Sequence, residues 1–308
     1  MRISTHNAFE SSVQNLQRRQ AQLATAQQQL TSGKRVLKAS DDPAAAAVAE
    51  RALAAEARAT SQQRALDASR IAMQMGESAL GEAGDIMQRA RELVVSAGNG
   101  SYADADRSAI ADALQGLRKD LLAVANRSDG SGRYLFGGQG SATPPLRDTA
   151  AGVVFDGVAG QLDAAAGESS ALSLDGRAIW LQAPDPANPG AKLSVFDILD
   201  KAVTELRTPG RSGAQVTQTV ATGLAQIDAT AANLSSARSR AGAALNRADG
   251  IEGRISQNKL DAQRERSSAE DLDMVSAISD FQTRQSGYDA ALKTYSLVQR
   301  MSLFDYLK

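Results

Sequence analysis

The sequence contains no cysteine and a single histidine, His6. Without thiols there can be no disulfide framework, thiolate metal site or cysteine nucleophile. One imidazole excludes HExxH and every other multi-histidine metal motif. His6 lies close to the N-terminus, a poor place to build a Ser/His/Asp triad. Aromatic residues are also scarce, at 4%, and Trp180 is the only tryptophan. Hydrophobic residues reach 43%, but much of that is alanine. Few large side chains mean thin cores between closely packed helices. No run of about 18 apolar residues occurs, so no membrane span is expected. The N-terminus offers Arg2 but no apolar stretch after it, unlike a cleavable secretory signal. Net charge is −1, which gives no general reason to expect nucleic acid as a partner. At 308 residues the chain has room for two or three domains.

Phosphate chemistry is equally absent. No Gly-rich loop is followed by Lys-Ser or Lys-Thr, and Gly130-Ser131-Gly132 and Gly137-Gly138 read as turn glycines. Asn126-Arg127-Ser128 and Asn233-Leu234-Ser235 match the glycosylation sequon, a pattern short enough to arise by chance. No catalytic, cofactor-binding or metal-binding constellation emerges, and the chain does not read as an enzyme.

What is present is a seven-residue apolar period. Phe9, Leu16, Leu23 and Leu30 stand seven apart, with Val13 on the offset position. Such a repeat puts one narrow stripe on a helix. No Pro or Gly interrupts residues 1–32, and Gly33 can take positive φ and stop the helix, leaving Leu37 beyond it. A second narrow stripe, Met274, Ile278, Phe281, Tyr288, Leu292 and Tyr295, lies at the other end. Each stripe needs a partner helix, and the termini are the simplest partners for each other. The final segment, including Leu303 and Phe304, is apolar on more than one face. Breadth of that kind marks an interaction site.

Between the termini the chain reads in order. Lys34 and Arg35 follow a helix end, where cations suit exposed carbonyls. Asp42 before Pro43 is a helix start, with Asp41 adding charge beside it. The two carboxylates therefore read as loop and cap residues rather than as acid–base groups. Leu66, Met73, Leu80, Met87 and Val94 keep the seven-residue interval beside a row of small residues, Ser69, Gly76, Ala83, Ala90 and Ala97. From Pro43 to about Ala97 this is on the order of 80 Å of helix. A third helix carries Ile110, Leu114, Leu117, Leu121 and Val124. Six of the seven prolines then fall between Pro144 and Pro209. Here Val153-Val154-Phe155 and Ile179-Trp180-Leu181 are short apolar runs near Asp156-Gly157 and Asp175-Gly176, both turn formers. Trp180 reads as the core residue of a small β-rich domain or insertion at 134–190, and residues 140–200 are expected to affect surface properties more than assembly. A short helix follows from Phe196 to Thr208-Pro209-Gly210. Helical period returns with Val220, Ile227, Leu234, Ala241, Ala248, Ile255 and Ala262.

The expected fold is mainly α with a small β domain. It is nested and discontinuous: a long coiled-coil-like bundle from both halves of the chain, with a central β-rich insertion. The expected division is 1–42 with 265–308 as terminal helices, 43–133 with 208–264 as the long-helix bundle, and 134–207 as the outer β-rich domain.

Two stretches then become specific. Leu30-Thr31-Ser32-Gly33-Lys34-Arg35 and Ser40-Asp41-Asp42-Pro43-Ala44 resemble the N-terminal signature of the flagellin family of bacterial axial proteins. Residues 1–60 and 250–308 carry the resemblance. Three details resemble the family's hook–filament junction branch rather than the filament subunit. They are the start Met1-Arg2-Ile3-Ser4-Thr5, Asp41-Asp42-Pro43, and the ending Leu303-Phe304-Asp305-Tyr306-Leu307. The resemblance implies export in an unfolded state through the flagellar type III apparatus, a cytosolic export chaperone, and an extracellular place in the flagellum. It also implies neighbours of the hook-associated protein 1 type below, flagellin above, and copies of the chain itself in a junction ring. The assembly contacts would be Phe9, Val13, Leu16, Leu23, Leu30, Ile278, Phe281, Tyr288, Leu292, Tyr295, Leu303 and Phe304, meeting only within the assembly. Gly33, Lys34, Arg35, Asp41, Asp42 and Pro43 would form the loop and helix-cap motif. The alternatives are a filament subunit, or a cytosolic coiled-coil scaffold or signalling protein.

Overall fold

The structure is a computed structural model that describes residues 2–141, 143–163 and 170–306, with side chains described for 10–141, 143–163 and 170–297. Long helices dominate: α1 (Arg2–Ser32), α2 (Pro43–Ala97), α3 (Asp104–Ala125), α6 (Gly213–Glu270) and α7 (Met274–Tyr306). Between α3 and α6 lie strands β1 (Leu146–Thr149) and β2 (Gly152–Phe155), the one-turn helix α4 (Gly176–Trp180), strands β3 (Ala183–Pro184) and β4 (Lys192–Leu193), and helix α5 (Val195–Arg207). Among the described residues the chain is mainly helical with two small two-stranded antiparallel sheets. It divides into two compact units, residues 1–59 with 257–308, and residues 60–256.

In the 60–256 unit, α2 and α6 pair antiparallel. Arg70 meets Glu252 at 2.6 Å, Glu77 meets Arg238 at 2.6 Å and Asp228 meets Arg91 at 2.8 Å, in opposite order along the two helices. The seven-residue row Leu66, Met73, Leu80, Met87 and Val94 is buried, as are Ile227, Leu234, Ala241, Ala248 and Ile255 on α6. The small row of α2 is buried too. It admits more than a helix: a Cβ on Gly76 would lie 2.8 Å from Leu174 Cδ1. Small residues there let the segment after β2 lie directly on α2.

The middle segment differs from the expectation in detail. Ile179-Trp180 is helical, not extended. Asp175 does not make a hairpin turn; its Oδ1 accepts the Ala178 N–H at 3.1 Å as an N-cap, and its Oδ2 accepts Gly160 N–H at 3.0 Å. The β1–β2 turn is Ala150-Ala151, because Thr149 pairs with Gly152. Asp156 serves instead as the partner of Arg147 at 2.6 Å. Gly138 has φ +65°, and a Cβ there would stand 1.8 Å from the Val158 carbonyl oxygen, so only glycine fits.

Nor is this segment a detachable core. Phe136, Trp180 and Phe196 belong to one buried cluster with Leu80, Leu121 and Leu234. Trp180 stands edge-on to Phe136, centroids 5.1 Å apart, and 6.3 Å from Phe196. Both sequon asparagines work as brackets into it. Asn126 donates to the Leu146 carbonyl and accepts its N–H (2.7 and 2.9 Å), and Asn233 donates to the carbonyls of Ala178 and Ile179. Removing residues 140–200 would therefore uncover the parts of α2, α3 and α6 that this segment packs against.

A buried cation joins α3, β1 and α5. Arg118 makes a two-pronged bond to Asp148 (2.6 and 2.8 Å), and its Nε lies 2.7 Å from Asp200 Oδ1, close but without hydrogen-bond alignment. Its guanidinium also sits over the Phe196 ring at 5.9 Å. Its hydrogen bonds hold the Asp148 carboxyl below the usual carboxylate range.

Two outcomes follow from this core. Trp180→Ala should lower the stability of the 60–256 unit by about 3–5 kcal/mol, measured by chemical denaturation. Arg118→Ala should cost about 2–3 kcal/mol and Asp148→Asn less than about 1 kcal/mol, since the carboxylates stay partly hydrated. Asp148 has a lowered folded pKa. Its contribution is therefore present above the unfolded carboxylate pKa of about 4 and vanishes as pH falls through the lower folded value. Trp180 fluorescence during acid titration should show wild type losing stability more steeply than Asp148→Asn.

Candidate assembly interface

The terminal stripes meet in the unit formed by residues 1–59 and 257–308. Helices α1 and α7 pair antiparallel: Leu16 and Arg19 share a groove of about 320 Å³ with Ala291, Thr294 and Tyr295. A Cβ on Gly287 would come 2.8 Å from Arg19 Nη1. The two stripes therefore already face each other within one chain, whereas the sequence suggested contact only in an assembly. The packing is incomplete. Val13, Leu16, Leu23, Leu30, Phe281, Tyr288 and Tyr295 are only half-buried. Ile278 and Leu292 remain 46% and 40% exposed, and Val275 is 82% exposed. Among the described residues of α1, Ala26 is the buried hydrophobic one. Two narrow stripes cover each other on one side and leave the flanks of α7 open. The side chains of Phe9, Leu303 and Phe304 lie outside the described residues.

The loop after α1 is closed by local hydrogen bonds, and its basic residues find other partners than the nearest carbonyls. Gly33 has φ +70° and closes α1 by donating to the Gln29 carbonyl at 2.9 Å. Asp42 Oδ1 accepts Ala45 N–H at 3.0 Å and caps α2 at Pro43. That bond and the neighbouring Arg35 hold Asp42 below the usual carboxylate range. Asp41 Oδ2 accepts the N–H groups of Leu37 and Lys38, at 3.1 and 2.9 Å. Both carboxylates are thus occupied with backbone donors. One correction concerns Lys34 and Arg35, which do not serve the carbonyls of α1. The left-handed turn at Gly33 sends them to the end of α6. Arg35 Nη2 donates to the Ala269 carbonyl at 2.8 Å while its Nη1 reaches Asp42 at 3.1 Å, and Lys34 pairs with Glu270 at 3.0 Å.

Sequence reading missed the partners on the other linker. Lys34 and Asp271 form an antiparallel bridge, with Arg35 N–H donating to Glu270 O at 2.7 Å and Leu272 N–H to Gly33 O at 3.0 Å. Asp273 caps α7, accepting Val275 N–H at 3.0 Å and the Ser276 hydroxyl at 2.9 Å. Glu270 also meets Arg266 at 3.3 Å, and Arg266 meets Glu56 at 3.1 Å. The one signal available was Asp271-Leu272-Asp273 ahead of the second stripe, a helix-start pattern. Among the described residues no group of three or more His, Cys, Asp or Glu could hold a metal ion. The arrangement can pair helices and present apolar flanks.

Comparison with known proteins agrees with this architecture. The family pattern described as the bacterial flagellin N-terminal helical region matches residues 3–141. Flagellar hook-associated protein 3 of Salmonella typhimurium is 32% identical over 324 aligned residues, covering 99% of both chains. Phase 1 flagellin of Salmonella naestved is 32% identical over 130 residues, which cover 42% of this chain and 26% of that one. In three dimensions, the putative flagellar hook-associated protein from Vibrio parahaemolyticus superposes with a TM-score of 0.65 at 22% identity, over 75% of this chain and 100% of that chain. That likeness concerns the fold. The end-to-end match, set against a flagellin match confined to part of each sequence, places the chain in the flagellar hook-associated protein 3 family.

Proposed function

We propose that this chain is a structural subunit of the bacterial flagellum that sits outside the cell at the hook–filament junction, and that it is not an enzyme. The observation that carries the reading is the 32% identity with a hook-associated protein 3 along 99% of both sequences. The neighbours are other axial proteins. In the finer reading, a hook-associated protein 1 lies on the hook side, flagellin on the filament side and further copies of the chain around the ring. A cytosolic chaperone holds the chain before export. Residues 1–42 and 265–308 form the polymer core, 43–133 with 208–264 the surrounding bundle, and 134–207 the outer region. Within the polymer core the contacts are the half-buried and exposed members of the two stripes, together with Phe9, Leu303 and Phe304. The incomplete burial of the described stripe members in one chain supports this, because apolar area left open on paired helices is what a neighbour can cover.

A strain lacking the chain should build hooks but release unpolymerised flagellin into the medium. Normal filaments in that strain would overturn the junction reading. Retention of the chain inside wild-type cells would favour a scaffold.

The stripes should separate stability from assembly. Ile278→Asp with Leu292→Asp touches exposed positions, so the melt of the purified chain should move by no more than about 0.5 kcal/mol. Incorporation at hook tips should nevertheless be lost. Phe281→Ala, at a half-buried site, should lower both, with a stability cost of about 1–2 kcal/mol. Unimpaired incorporation of the double variant, scored by electron microscopy of sheared flagella, would remove the outer flank of α7 from the interface.

A further inference from the structure

We infer that Arg35 is the pin of a latch between the two linkers, 33–42 and 271–273, and that this latch sets the direction in which the α1–α7 pair leaves the ends of α2 and α6. These segments all belong to the same compact unit. The chain crosses between the helix pairs only twice among the described residues, once through each linker. Each crossing is too short to hold an angle by itself, and neither linker forms a regular element.

What joins them is a minimal antiparallel ladder. Two backbone hydrogen bonds flank the Lys34–Asp271 pair. Two bonds alone make a marginal ladder. Arg35 adds the missing constraint. Its Nη1 holds Asp42, the cap of α2, and its Nη2 holds the Ala269 carbonyl in the last turn of α6. One planar guanidinium therefore ties the start of one helix to the end of another, with its own backbone N–H already in the ladder. Its carbonyl is held as well, accepting from Gln29 Nε2 of α1 at 2.7 Å. A lysine could reach either acceptor but not both, because it lacks the fork. The Lys34–Glu270–Arg266–Glu56 chain of ion pairs lies alongside, and its more exposed members contribute less.

The test uses the full-length chain and amide exchange. Arg35→Ala should raise exchange at residues 34–42 and 270–273 by about tenfold or more, while the Trp180-monitored melt of the 60–256 unit stays unchanged. Arg35→Lys should fall between. Because the native chain has no cysteine, a cross-link can be placed cleanly. Lys34 and Asp271 form the non-hydrogen-bonded kind of pair, whose Cα atoms stand about 4.5 Å apart, within disulfide range. Lys34→Cys with Asp271→Cys should oxidise readily and restore slow exchange to Arg35→Ala. Unchanged exchange in Arg35→Ala, or failure of the cross-link to form, would overturn the latch. So would an even rise in exchange along α1, α2 and α6, since that is loss of the fold.

The consequence for assembly rests on the junction reading. Arg35→Ala should be secreted yet poorly incorporated, and the cross-link should restore incorporation. Normal incorporation beside raised linker exchange would overturn the assembly role while leaving the latch standing. The junction reading is tested separately by the strain that lacks the chain.

Discussion

A seven-residue apolar stripe covers too little of a helix to bury itself, and everything else in this chain follows from supplying each stripe with a second one. In the 60–256 unit the supply is generous. The large row of α2 is buried with the apolar row of α6, its small row receives the segment around Ala171 and Leu174, and α3 belongs to the same cluster. Four elements share one core, so the large row of α2 becomes almost completely inaccessible. In the other unit, among the described residues, α1 pairs with α7 and the same kind of stripe stays half-open. The periodicity is alike in both places. The number of partners decides whether a stripe becomes core or surface.

This difference explains what could be read in advance. Helix ends were legible because they depend on local chemistry: the positive φ of Gly33, and Asp42 before Pro43. Long helices were legible because they repeat a pattern many times. The middle segment was harder. Ile179-Trp180 carries aliphatic and aromatic side chains suited to a strand. Yet Asp175 can cap a helix as easily as it can open a turn, and its second oxygen is taken by Gly160, which no local pattern reveals. The central region also looked separable because its proline content and periodicity change abruptly. Packing does not respect that change, and Phe136, Trp180 and Phe196 face the same interior as Leu80.

Among the candidate site residues, the stripes are legible as narrow apolar faces, but their mutual contact within one chain is not. The loop motif was legible in kind and not in its partners. Asp41 and Asp42 read as loop and cap carboxylates, and in the structure each accepts from backbone N–H groups. Arg35 was assigned to the nearest carbonyls in sequence, those of α1. The acceptor it takes, Ala269, lies far along the chain and is brought there only because Gly33 reverses the backbone and the second linker runs alongside. A positive charge after a helix end says that a carbonyl is wanted, not which one.

The charged residues of this chain therefore act mainly as fasteners, and their burial grades how firmly. Arg118 is enclosed and serves two carboxylates, so its removal disturbs α3, β1 and α5 together. Lys34 and Arg35 are about half exposed, and their bonds hold linkers rather than a core. For a flagellar junction subunit, that grading has a physical use. A firmly packed body keeps its shape during assembly. Terminal helices that are paired yet incompletely buried retain apolar surface that a neighbour could cover, and in the latch inferred above the fasteners at their base would limit how that pair is oriented.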